Sequence, residues 1–224
     1  MSHFHVKDCT LIVQTTKIQA INLRELREGI SRCEAASIYH HFYETLLRPS
    51  FDDPVYQSDF AIWSARELHD PVLAERLSII DPYAFEDIES LRAYLLDILD
   101  DRLSEVHFIP WARPEHQFYF TKAVTVVFDA GKVIHGPEKF LDGIRDLSLG
   151  SIFYHFIEAR RRHKRRTDDF TVWLEGEGEK GEMYLAPLKE LHRSLVSLAE
   201  LKERLVNMED SLRNNDGGAK THEA

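Results

Sequence analysis

The chain has 224 residues, with 28 Lys+Arg against 38 Asp+Glu, a formal net charge of -10 and 43% hydrophobic residues. That composition excludes wholesale disorder, and the acidic balance argues against the broad basic face that nucleic acid requires. No run approaches the roughly 18 apolar residues of a membrane span; the opening MSHFHVKDC has no basic-then-apolar leader, so a cytoplasmic address is expected; and Cys9 and Cys33 are too few for a disulfide framework.

In chain order, FHVKDCTLIVQ reads as a β-strand ending at a turn-like Thr15-Thr16-Lys17, with a short second strand over 18–21. Asn22 opens a helix ending near Gly29-Ile30. Ser37 is a candidate N-cap for the next helix, whose stripe is Ile38, Phe42 and Leu46. Asp59 is the expected cap of a helix carrying Phe60 and Trp63. Asp70-Pro71 signals a further start, and Asp81-Pro82 precedes a long helix over about 85–106 with Ile88, Leu91, Leu95, Ile98 or Leu99, and Leu103 along its seam. The segment HFIPWARPEHQ, 107–117, reads as a linker.

The second half repeats this order. FYFTKAVTVVF is a strand ending at Asp129-Ala130-Gly131, with a short strand over 132–135, and Gly136-Pro137 opens a helix. Ser151 and Asp169 are the expected caps that follow. A Gly/Glu loop over 176–181 leads to an amphipathic helix over about 187–212, and residues 214–224 read as a flexible tail.

The similarity extends to particular residues. SIYHHFYETLLR, from Ser37 to Arg48, is echoed by SIFYHFIEARRR, from Ser151 to Arg162, at an offset that holds back to Phe4 and Phe118. SDFAIW is echoed by DDFTVW after a shorter loop, and some thirteen ordered identities accumulate, among them His41/His155, Glu44/Glu158 and Trp63/Trp173. The expectation is a tandem duplication: one module over 1–106, a linker over 107–117 and a second module over 118–213. The expected fold class is α+β, mainly helical, with a small antiparallel β element in each repeat. The repeats would pack about a pseudo-two-fold axis, with pairing of their strands into one sheet as a further option.

The run of H-F-x-E and then D-F-x-x-W resembles an uncharacterised prokaryotic family of unknown function that has a Tyr/His-rich helix, a D-F-x-x-W segment and an L-A-x-x-L helix. The matching residues are Tyr39, His41, Asp59, Phe60, Trp63, Leu73, Ala74 and Leu77, and then Phe153, His155, Asp169, Phe170 and Trp173. Leu185-Ala186 matches the L-A pair only loosely. The resemblance implies a fold family and brings no activity with it.

His41 with Glu44, and His155 with Glu158, are three apart on helices, so each pair is expected to share a face. Brought together, the four side chains would suit zinc, iron or manganese. Alternatively each His bonds the aspartate opening the next helix, or stacks on the Trp, in a satisfied buried network, or serves as an acid or base. Asp59 and Asp169 are caps in one reading and ligands or nucleophiles in the other. Trp63 and Trp173 are core in one and ligand-stacking in the other. No metal is favoured and no cofactor is expected.

The basic run Arg160, Arg161, Arg162, His163, Lys164, Arg165, Arg166 is absent from the first half. It is a solvated face paired with acids such as those over 175–182, a site for a small anion or an acidic partner, or a contact for RNA or DNA. Phosphate-loop, dinucleotide, nucleophile-elbow and H-E-x-x-H signatures are missing. Three functions remain in view. The first is a non-catalytic binding or regulatory protein that takes a protein partner or small anionic ligand between its copies. The second is a metal-assisted hydrolase using the paired H-x-x-E helices. The third is a homodimer through the C-terminal stripe Leu188, Leu191, Leu195, Leu198, Leu201, Leu205 and Met208.

Overall fold

The computed structural model describes residues 2–47, 56, 58–191 and 197–208. Two 18-residue strands, β1 (His3–Ala20) and β2 (Phe118–His135), pair as a single two-stranded antiparallel sheet. Helices make up most of the remainder. The first set is α1 (Leu23–Arg32), α2 (Ala35–Phe42), α3 (Asp59–Arg66), α4 (Pro71–Ser78) and α5 (Ile88–Glu105). After β2 come α6 (Phe140–Arg145), α7 (Leu149–Ile152), a π-helical turn (Phe153–Glu158) and α8 (Ala159–Arg162). The order closes with α9 (Asp169–Glu175), α10 (Glu179–Leu191) and α11 (Leu198–Val206). The α+β class is as expected; the β structure is one ribbon, not a separate element in each half.

Both strands run through the segments expected to turn. At 15–17 the polar side chains serve the ladder: Thr16 Oγ1 donates to Phe120 O at 2.6 Å and accepts from Ile18 N at 3.2 Å. At 129–131 the chain kinks without reversing. Asp129 Oδ1 accepts from Gly131 N at 2.7 Å, and Gly131 sits at φ 65°, a conformation that costs glycine nothing. Each strand finds its partner in the other, so neither has to fold back on itself.

The chain divides into two compact units, and the division cuts both strands. One unit comprises Leu11–Thr125; the other joins the residues up to Thr10 to those from Val126 onward. The first half of β1 belongs with the later helices, and the first half of β2 with the earlier ones.

In the Leu11–Thr125 unit, α1 is started by Asn22, whose Oδ1 accepts from Glu25 N at 2.9 Å while Glu25 Oε2 reaches back to Ile21 N at 3.0 Å. This reciprocal arrangement satisfies two otherwise orphaned amides. Asp70 caps α4 ahead of Pro71, and Arg102 of α5 clamps its second oxygen at 2.9 Å. Asp87 caps α5, whose Leu91, Leu95 and Leu99 are fully buried at helical spacing. Gly29 is required by packing: a Cβ there would overlap the Phe120 ring. The segment 107–117 is fixed to this unit through an Asn22–Trp111 bridge and an Ala112 N to Ile21 O bond of 2.8 Å.

In the other unit, Gly143 of α6 plays the part of Gly29, since its Cβ would meet Ile134 of β2 at 2.6 Å. Leu198, Leu201 and Leu205 of α11 are buried, and α11 packs on α6 and α7. The C-terminal leucine stripe, expected to be available to a second subunit, is thus used at these positions by the chain's own core; Leu195 lies outside the described residues. The helix expected over 187–212 is two helices. The first starts at Glu179, within the expected loop, and carries Pro187 in its interior. The expected tail over 214–224 lies outside the described residues. Among the described residues no helix is long and apolar enough to cross a membrane.

Candidate functional site

The recurrent histidines sit at the junction of helix, helix and strand in each unit. The serines and aspartates expected to cap the flanking helices do other work. The caps of α3 and α9 are Ser58 and Asp168, each accepting from a backbone N–H three residues on. That leaves Asp59 and Asp169, at the first helical position, turned towards imidazoles. Ser37 lies inside α2 and donates to Thr121 O at 2.8 Å. Ser151 lies inside α7, whose cap is Ser148.

His41 is buried, with Nδ1 2.6 Å from Asp59 Oδ2 and Nε2 accepting from Thr121 N of β2 at 3.0 Å. His155 is buried in the same way, with Nδ1 2.7 Å from Asp169 Oδ2 and Nε2 accepting from Lys7 N of β1 at 2.8 Å. A backbone amide can only donate, so each Nε2 carries a lone pair. The ring proton is therefore on Nδ1 and is given to the aspartate. Each neutral imidazole links a helix-start carboxylate to a strand amide, and both of its nitrogens are used.

Aromatic rings close around these links. Phe60, Phe118 and Phe120 surround His41, with ring centroids 5.2, 4.9 and 6.2 Å away. Phe4 and Phe170 lie 4.8 and 5.6 Å from His155. Trp63 and Trp173 are buried beside Phe118 and Phe4, and their indole N–H groups donate to His116 O at 2.7 Å and Ser2 O at 3.3 Å. They are core residues tied to backbone carbonyls, not platforms open to a ligand.

Glu44, expected to share a helix face with His41, pairs with the neighbouring His40. Glu44 follows α2 in a tighter turn and meets His40, four residues back, with His40 Nδ1 at 2.8 Å from its Oε2 and Thr125 Oγ1 at 3.2 Å from its Oε1. His40 Nε2 is buried and has no partner among the described residues. Glu158 is buried near Arg161, at 3.4 Å. Of the four candidate metal ligands, His41 and Glu44 belong to one unit and His155 and Glu158 to the other. Among the described residues no group of three or more His, Cys, Asp or Glu is placed to hold a metal.

The basic run is largely engaged with acids. Arg162 donates to Asp169 Oδ2 at 2.7 Å and lies over the Tyr154 ring at 4.1 Å. His163 Nε2 is 2.6 Å from Asp169 Oδ1, and Arg165 reaches Glu175 at 2.5 Å. Arg160 stands over Phe156 at 5.8 Å, and Arg166 adopts φ 53°. His163 was concealed within a run legible only as positive charge; its six-residue spacing from Asp169 fits no standard motif. His40 was visible as a doublet and through its i,i+4 spacing to Glu44.

Burial alone would raise the Asp169 pKa, but hydrogen bonds from His155, Arg162 and His163, with the Arg162 charge, outweigh it and hold the carboxyl at about 2. A carboxyl depressed on folding contributes stability above its unfolded pKa and loses it as pH falls through the folded value. The margin of wild type over Asp169→Asn is therefore expected to be about 2 kcal/mol at neutral pH and to shrink as pH drops from 3.8 towards 2. Urea melts at stepped pH read this directly; a margin that stays constant to pH 2 would show that the network leaves the carboxylate unperturbed.

Fold and site together define an α+β protein in which buried His–Asp links bind the strands of one long ribbon to their helices. It belongs to the Family of unknown function (DUF5752), which matches residues 1–210. It is similar to a solved structure, "The structure of OrfY from Thermoproteus tenax", at 29% identity and a TM-score of 0.75, over 94% of this chain and 96% of that one. No curated protein matches the chain significantly.

Proposed function

We propose that the protein is a non-catalytic binding or regulatory protein, built from two copies of one module, that acts by docking a protein partner. The observation carrying this reading is the saturation of the recurrent histidines. With one nitrogen on a carboxylate and the other on a strand amide, neither His41 nor His155 has a lone pair left for a metal or for proton transfer. The shared motif is thus accounted for by architecture. The matched links His41–Asp59–Thr121 and His155–Asp169–Lys7 support the duplication.

The partner surface in this reading is the 107–117 segment. Phe108 is 90% and Trp111 63% exposed, and the backbone at Trp111 and Ala112 is tied down. His116 holds Glu67 at 2.6 Å through Nδ1 and accepts the Trp63 indole through its carbonyl. Large aromatic side chains on a fixed backbone lose little entropy on binding and dominate protein interfaces. The test is photo-crosslinking in cells with a photoreactive phenylalanine at 108, and at the exposed control position Met183. A discrete adduct from 108 that Trp111→Ala removes, with none from 183, is expected. No adduct from 108, or the same adducts from both positions, overturns the docking assignment.

A further inference from the structure

The ends of the two strands meet at a pair of histidines that the buried links do not use. His3 opens β1 and His135 closes β2, both on the outward side of the pleat, while their neighbours Phe4 and Ile134 are buried and hold the backbone on each side. The rings are edge to face with centroids 4.7 Å apart, and the two Nδ1 atoms stand 3.3 Å from each other.

That separation is long for a hydrogen bond to nitrogen, and one of the two imidazoles would have to be the acceptor. It matches another geometry closely. Two imidazoles on a tetrahedral zinc ion, each with Zn–N of about 2.0–2.1 Å, place their nitrogens about 3.3–3.4 Å apart. We propose that His3 and His135 form a two-imidazole chelate for a borderline divalent transition metal of the Zn2+ class. The strands pre-position both donors, and solvent reaches both rings. Neutral imidazole, the ordinary form near neutral pH, is the ligating form. Since no third His, Cys, Asp or Glu completes the set among the described residues, water fills the remaining positions, and the site is open and exchangeable. Metal at this position staples the start of β1 to the end of β2.

The test titrates Zn2+ into the full chain by calorimetry near neutral pH, alongside the melting temperature and the visible spectrum of the Co2+-loaded protein. Wild type is expected to take one equivalent of Zn2+, to melt higher with it, and to shift the visible bands of added Co2+ as imidazole nitrogen replaces water. His3→Ala and His135→Ala each weaken that binding at least about tenfold, as loss of a ligand must cost no less than loss of its support. Both are surface changes, so the metal-free melts stay at the wild-type value. His5→Ala, on the same outward face, leaves binding intact. Zn2+ binding that survives His135→Ala, or the lack of any saturable binding by wild type, overturns the assignment.

Discussion

His155→Ala is expected to lower stability by about 2 kcal/mol, because it orphans the Lys7 amide and removes one of the two hydrogen bonds to Asp169 Oδ2, which Arg162 still holds. The conservative variants separate the two bonds. Asn places a donor near the Nδ1 position and retains the aspartate bond; Gln places an acceptor near Nε2 and retains the strand bond. Each should recover part of the loss, and His41 should behave in the same way through Asp59 and Thr121. A chelator should change none of these melts. Equilibrium urea denaturation measures the series. A wild-type melt for His155→Ala would mean that the link holds nothing together, and a chelator-sensitive wild type would return the histidines to metal chemistry.

Phe120→Ala is expected to cost about 3–5 kcal/mol, the range for emptying a fully buried phenylalanine site. The place where the loss is felt is more informative than its size. Phe120 stands near the start of β2, but its ring lies against Phe60, Phe118, His41 and Gly29. Hydrogen exchange should therefore show protection lost first in the helices between Leu23 and Glu105, while those from Phe140 onward keep theirs. If the later helices lose protection first, Phe120 serves the unit that follows it in sequence, and the assignment of half-strands to units is wrong.

The helices were largely legible in the amino-acid order, because their signals are local. Asn22 and Asp70 cap helices through side-chain bonds to amides three residues away, and Leu91 and Leu95 declare a buried face by spacing alone; the cap of α5, Asp87, was not among the expected starts. The chemistry of the site was only half legible. A histidine bonded to the aspartate of the next helix was one of the readings open from the residues, and both pairs are made. The strand amide on the far nitrogen was not foreseeable, since Lys7 and Thr121 contribute backbone and any residue other than proline supplies that donor. Glu44 went to His40 and not to His41 because both His41 nitrogens are taken, Nδ1 by Asp59 and Nε2 by the Thr121 amide, while His40 lies one α-helical turn back.

The strands show where local reasoning stops. A period of two marks Phe4 and Val6, or Phe118 and Phe120, as facing inwards, but nothing in that alternation says which helices they face. Thr15-Thr16-Lys17 and Asp129-Ala130-Gly131 have turn composition, and each would turn if the nearest strand partner were the chain's own continuation. The partner is the other strand, more than a hundred residues away, and the hydrogen bonds of a long ribbon outweigh the local preference. Caps, helical faces and the recurring H-F-x-E and D-F-x-x-W segments are thus properties of neighbouring residues. Which half-strand each histidine holds is a property of long-range pairing, as is which hydrophobic side chain lies over which glycine: Phe120 at Gly29 and Ile134 at Gly143.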